Sequence, residues 1–185
     1  MNQSDIHWKQ LQRKTLLDTP YMKVWQDDVE LQNGSVIEDY SVVSLPNGVV
    51  VVATDENNNN LIGFDEYKYA VDEILFTLPA GGIDKDETPV EAAARELLEE
   101  SGYVSDDLEQ IAELYVYPSK VKHTNYIVRA KNAKKLSSVA HEETEAIGQV
   151  QLIPVSTLKE LRLAGKFNTT YMLSALALSF PESFN

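Results

Sequence analysis

Residues 81–103 read GGIDKDETPVEAAARELLEESGY. The middle of this stretch predicts a helix with defined ends. Thr88 is an N-cap, Pro89 sits in the first turn where its missing N–H costs nothing, and Glu91 completes a capping box. Gly102 follows Ser101 as the stop. Apolar spacing puts Val90, Ala93, Ala94, Leu97 and Ser101 on the inner stripe. Beside that stripe, Glu96, Glu99 and Glu100 stand at i, i+3 and i+4, so their carboxylates share one face. Like charges so spaced cost a helix roughly a few tenths of a kcal/mol per pair, which a hard divalent cation reverses by taking the oxygens as ligands. An acidic helix face is more often simply solvated. The sequence around the helix decides between these readings.

Outward from the helix, short strand-like runs dominate. Upstream lie Tyr21 to Trp25, Val29 to Gln32, an Asn33-Gly34 turn, and Ser35 to Leu45, which read as a small antiparallel sheet. Val49 to Ala53 and Leu61 to Phe64 follow, separated by Asn57 to Asn60, whose asparagines read as a loop tip. Ile74 to Leu78 is another strand, ending at Pro79-Ala80-Gly81-Gly82. Downstream, strands are expected at Ile111 to Tyr117, Asn125 to Ala130 and Gly148 to Ile153, then helices over Val155 to Leu163 and Thr169 to Ser179. Strands flanked by helices in mixed order indicate an α+β chain with an α/β/α sandwich and a mixed sheet.

Composition narrows the function. The 185 residues are 43% hydrophobic, enough for a real core, and carry a net charge of -13. That charge argues against tracking nucleic-acid phosphates, which takes clustered Lys and Arg. It also favours bound cations wherever a polyanionic substrate must approach. The absence of cysteine excludes disulfides, thiolate zinc sites and cysteine nucleophiles. The polar stretch Met1 to Asp18 has no apolar signal region, and no run reaches membrane-spanning length, so a cytoplasmic protein without membrane association is expected.

Gly81, Glu87, Arg95, Glu96, Glu99, Glu100 and Gly102 fall at the spacing G-x5-E-x7-R-E-U-x-E-E-x-G-U, where U is apolar. The stretch resembles the Nudix box with every fixed position filled. At roughly 7% frequency per residue type, chance would produce this in such a chain about once in a million. Tyr103, an aromatic at a position usually aliphatic, is the one mild departure.

The resemblance implies roles for these residues. Glu96, Glu99 and Glu100 would hold one to three Mg²⁺ ions, or Mn²⁺, bridging diphosphate oxygens and activating water. Arg95 would orient the glutamates, Glu87 would fix the loop, and the Ala80 backbone carbonyl would be a further metal ligand. Gly81 and Gly82 would let the backbone turn sharply and approach the metal, with Gly102 closing the helix. Leu78-Pro79-Ala80-Gly81, Glu66-Tyr67-Lys68-Tyr69 and Tyr117-Pro118-Ser119 extend the likeness to the ADP-ribose pyrophosphatase branch. In that branch an N-terminal sheet builds a homodimer and completes the nucleotide pocket. Residues 1–47 would fill that role and 48–185 would be the catalytic domain. The general base would come from His141-Glu142-Glu143-Thr144-Glu145, with Glu145, which would also be a metal ligand, favoured over Glu142 and Glu143, and His123 and His141 weaker candidates.

Tyr40, Lys68, Pro118 and Lys120 are the candidate substrate-binding residues. The resemblance places Tyr40 where relatives can carry an aromatic that stacks on the base, and Trp25 lies on an adjacent strand, although aromatics on a small sheet are more often core. The chain departs from the branch at Thr77, usually Glu; at Lys68, usually Arg; at Lys120-Val121, usually Pro-Gly; and at Asn125, usually acidic. The expected activity is hydrolysis of the diphosphate in a nucleoside diphosphate sugar, first ADP-ribose to AMP and ribose 5-phosphate. Another derivative, such as GDP-mannose or a dinucleotide, remains a second reading, and a non-catalytic nucleotide-binding module a third.

Overall fold

The computed structural model describes residues 6–136 and 147–185. The chain divides into two units, one reaching to Pro46 and including Tyr115–Thr124, the other made of Asn47–Leu114 and Asn125–Asn185.

In the first unit, β1 (Lys9–Asp18), β2 (Lys23–Glu30) and β3 (Val36–Ser44) pair antiparallel in sequence order. The Asn33-Gly34 turn forms as its residues demand. Gly34 adopts φ 81°, and the turn is closed by Leu31 N–H to Ser35 O at 2.8 Å and Gly34 N–H to Leu31 O at 3.0 Å. Strand β1 was not among the expected elements. All its residues are exposed, so no buried face imposed an apolar period of two. What ties its side chains to β2 is polar. The Arg13 guanidinium forks onto the Asp27 carboxylate at 2.8 and 2.7 Å and lies 4.4 Å from the Trp25 ring, whose Nε1–H also donates to Asp27.

The second unit is built on β4 (Gly48–Asp55), buried along almost its whole length. Its uninterrupted Val49-Val50-Val51-Val52-Ala53 run follows from burial on both faces. Val49, Val51 and Ala53 pack with Ala92, Ala93 and Leu97 of α1 (Pro89–Ser101), whereas Val50 and Val52 pack with Met172, Ala175 and Leu176 of the last helix. Around β4 lie β5 (Asn60–Lys68), β6 (Glu73–Thr77), β7 (Ala80–Gly82), β8 (Tyr103–Val104) and β9 (Asp107–Tyr115). The chain then contributes β10 (Val121–Lys122), parallel to β3 in the first unit. Next come β11 (Thr124–Lys135), parallel to β4, and β12 (Ile147–Pro154), antiparallel to β5. Helices α2 (Leu158–Leu163) and α3 (Thr170–Ser179) end the chain. Helices on both faces of a mixed sheet give the expected α/β/α sandwich within an α+β chain.

The asparagine loop is the turn its composition suggested. Asn58 takes φ 56°, and the Asp55 carboxylate accepts the backbone N–H groups of Asn59 and Asn60. On α1 the cap forms as read, with Thr88 and Glu91 bonding reciprocally and Gly102 at φ 73°. The buried stripe differs from the expected one: Ala93, Leu97 and Ser101 are buried as read, but Ala92 is buried in addition, Val90 is only half-buried and Ala94 faces solvent. The stripe runs 92, 93, 96, 97, 100 and 101, so it includes Glu96 and Glu100. Among the described residues, no helix is long and apolar enough to cross a membrane.

The Arg13 hydrogen bonds hold the Asp27 carboxyl below its ordinary range, against the opposing pull of burial. A depressed carboxyl contributes stability that is full above its unfolded pKa of about 4 and is lost as pH falls through the lower folded value. Backbone amide protection in β1 is expected to be high at neutral pH and to decline in that acid range. Asp27→Asn should start with less protection and show no such acid step. Hydrogen exchange across a pH series checks both.

Candidate active site

Helix α1 carries the acidic constellation against the β7 strip. Glu96 and Glu100 are 7% and 5% exposed, while the Glu99 side chain is 57% exposed. Burial of two carboxylates one helical turn apart is expensive unless hydrogen bonds or cations meet them. Arg95 meets Glu96, and its whole donor inventory is used. Nε–H and Nη2–H fork onto Glu87 at 3.0 Å each, Nη2 also donates to Gly82 O at 2.8 Å, and Nη1 donates to Glu96 at 2.7 Å and Glu99 at 3.2 Å. Lysine could not reproduce this planar fork. Hydrogen bonding to Glu87, then to Glu96 and Glu99, raises the Arg95 pKa far above its ordinary value, so the guanidinium is a fixed positive charge. The same bonds, with the Asp84 N–H at 3.0 Å, hold the Glu87 carboxyl below its ordinary range and pin the loop before the helix.

Glu100 is met by the backbone, with the Ala80 N–H donating to its Oε2 at 2.8 Å. Strand β7 is held in turn by pairing with β4, Ala80 opposite Val50, and by Val51 N–H to Pro79 O at 2.8 Å. Glycine is required at 81 by close approach and not by a left-handed backbone. A Cβ there would lie 1.9 Å from Glu96 Oε1, whereas one at Gly82 would meet nothing within 4 Å. Gly82 contributes its carbonyl to Arg95.

Glu87, Glu96 and Glu99 thus set three carboxylates around one guanidinium, and Glu100 adds a fourth held by the Ala80 N–H. Among the described residues no three acidic or imidazole side chains already converge at metal-binding distance. The donors are nevertheless all oxygen, two are buried, and negative charge exceeds positive, which suits a hard divalent cation.

The other candidates divide. Lys68 donates to Glu66 at 2.6 Å and so already has an anionic partner. In the first unit, the Tyr40 hydroxyl donates to the Ser119 carbonyl, Lys120 sits 3.5 Å over the Tyr40 ring, and Trp8 meets that ring edge-on at 5.6 Å. Tyr40, Lys120 and the Pro118-Ser119 turn are therefore brought together, whereas Trp25 serves the Arg13–Asp27 pair. His123 Nδ1 lies 2.6 Å from Pro46 O. His141, Glu142, Glu143 and Glu145 lie outside the described residues. Sequence reasoning passed over the Gly82 carbonyl and the Asp84 N–H, since backbone donors and acceptors leave no residue signature. It also passed over Tyr171, whose hydroxyl meets Thr77.

Comparison with known proteins agrees with this geometry. The NUDIX domain family matches residues 44–173, and the nucleoside diphosphate sugar hydrolase N-terminal domain matches residues 8–43. A methanol dehydrogenase activator of Bacillus methanolicus is 24% identical over 176 residues, covering 95% of this chain and 94% of that protein. An ADP-ribose pyrophosphatase of Bacillus subtilis is 26% identical over 174 residues, covering 92% of each. The crystal structure of an ADP compounds hydrolase superposes with a TM-score of 0.81 at 26% identity, covering 95% of this chain and 93% of that one. With its box intact and the domain matched over most of its length, the chain belongs to the Nudix family.

Proposed function

We propose that this Nudix protein hydrolyses the diphosphate linkage of a nucleoside diphosphate sugar, with ADP-ribose, cleaved to AMP and ribose 5-phosphate, as the first substrate to test. The observation that carries the reading is the Arg95-ordered carboxylate face of α1, set against the Ala80–Gly82 strip. The names of two relatives, an ADP-ribose pyrophosphatase and an ADP compounds hydrolase, support the substrate class, as does the N-terminal domain match.

Nudix hydrolases generally use divalent metal ions, and we assign Mg²⁺ here, with Mn²⁺ as a substitute. Such an ion supplies charge neutralisation at the diphosphate and a lowered pKa for the attacking water. Glu96, Glu99, Glu100 and the Ala80 carbonyl would hold it. Arg95 keeps Glu96 and Glu99 oriented, and Glu87 keeps Arg95 in place. Water adds to one phosphorus as the bridging P–O bond breaks, the bridging oxygen leaves on the other phosphate, and the water proton passes to a carboxylate, which we assign to Glu145. Tyr40, Lys68, Pro118 and Lys120 are assigned to the substrate. Lys68 held by Glu66, and Lys120 held over Tyr40, favour a second reading in which the distal group differs from ribose phosphate, as in GDP-mannose or a dinucleotide.

The test is turnover of ADP-ribose, GDP-mannose, UDP-glucose, NADH and diadenosine polyphosphates with Mg²⁺ or Mn²⁺. ADP-ribose is expected to be preferred, and Glu100→Gln to lose at least about a hundredfold in kcat/KM, since even outer-shell changes at metal sites cost 10- to 100-fold. Preference for another member would move the specificity and keep the chemistry, whereas turnover of none would overturn the proposal.

We further propose that the protein works as a homodimer. Trp8, Leu11, Leu16 and Leu17, on or beside the edge strand β1, are 50%, 48%, 49% and 38% exposed in the single chain, apolar side chains along an open sheet edge that a second copy would cover. Light scattering should give twice the chain mass, and Leu11→Glu with Leu16→Glu should halve it. A monomeric wild type would contradict the proposal.

A further inference from the structure

We propose that Tyr171, on α3, is a positioning residue for the Ala80 arm of the cation site and acts through Thr77. The inference rests on the role assigned above to the Ala80 carbonyl. Thr77 ends β6, three residues before Ala80, and is 1% exposed. Its Oγ1 lies 3.0 Å from the Tyr171 hydroxyl and 3.3 Å from the Leu78 carbonyl oxygen. A carbonyl only accepts, and a threonine hydroxyl has a single proton to give. Both contacts are satisfied in one arrangement: Tyr171 donates to Thr77, and Thr77 donates to Leu78.

This relay ends on the peptide unit that Leu78 shares with Pro79. Because that unit is planar, fixing its carbonyl fixes the plane from which Pro79 and Ala80 depart. The surroundings leave little other slack. Across β5, a Cβ on Gly63 would lie 2.5 Å from the Phe76 ring and 2.6 Å from the Thr77 carbonyl, so the strands approach as closely as glycine allows. The Phe76 ring packs 6.0 Å from Phe167, and Leu78 is 1% exposed in the same cluster as Met172 and Leu176. Pro79 O then receives the Val51 N–H, and Ala80 donates to Glu100. Among the described residues, the Tyr171 hydroxyl is the side-chain donor that α3 sends into this run of anchors. Its removal should loosen the strip without releasing it.

The test is Mn²⁺ binding to the full chain, read from the free-ion EPR signal without substrate and well below the unfolding temperature. Tyr171→Phe and Thr77→Val should each weaken binding by about three- to tenfold, the scale of one lost hydrogen bond. The double variant should be no weaker than the worse single one, because the two groups act as a unit. Leu173→Ala, which trims α3 packing in the same cluster but removes no hydrogen-bonding group of the relay, should lower the melting temperature and leave Mn²⁺ affinity as in the wild type. Wild-type affinity in Tyr171→Phe, or an equal loss in Leu173→Ala, would overturn the proposal. Since no substrate is present, a wild type that binds Mn²⁺ but cleaves no diphosphate would remove the proposed activity and still let these variants decide the role of Tyr171.

Discussion

The candidate active site is organised around one guanidinium. Arg95 spends every N–H it has on the groups around it: both oxygens of Glu87, the Gly82 carbonyl, Glu96 and Glu99. Without it, the i, i+3, i+4 glutamates would repel, and Glu96 would be a buried carboxylate lacking its cationic partner. With it, the loop before the helix, the β7 strip and the acidic face are tied to a single rigid fork. A divalent cation at the proposed site would add to an assembly already ordered, which limits the reorganisation left for the bound state.

The fold supplies what Arg95 cannot. Strand β4, buried on both faces, fixes α1 on one side of the sheet and α3 on the other. Pairing of β4 with β7 brings Gly81 so close to Glu96 that no side chain fits between them. From the other face, α3 reaches the same strip through Tyr171 and Thr77. Two helices on opposite sides of one strand therefore converge on the six residues from Thr77 to Gly82, where backbone position matters most.

The sequence disclosed this region unevenly. Glu96, Glu99, Glu100, Arg95 and Glu87 were legible because their chemistry demands fixed residue types at fixed spacings. The helix ends were legible because capping is local. Burial of Glu96 and Glu100 was not, since a polar residue on a core face contradicts the apolar period from which the face is inferred, and Ala94 was drawn into the stripe in their place. Strand β1 escaped because its anchor is the Arg13–Asp27 fork, a pairing fourteen residues apart that no periodicity marks. Gly81 was read as a turn residue, whereas its φ is not left-handed and the carboxylate of Glu96 is what excludes a side chain. The Lys120–Tyr40 contact brings together residues far apart in the chain, so neither position alone foretold it.

The most direct test of a carboxylate face ordered by Arg95 for a cation is the unfolding temperature of the full chain as Mg²⁺ or Mn²⁺ is raised. A ligand that binds only the folded state adds RT ln(1 + [L]/Kd) of stability, so the wild-type midpoint should climb with the logarithm of cation concentration. In Glu96→Gln and Glu100→Gln the climb should be displaced to much higher concentration or vanish. A flat wild-type profile, or an unchanged climb in both variants, would contradict the account.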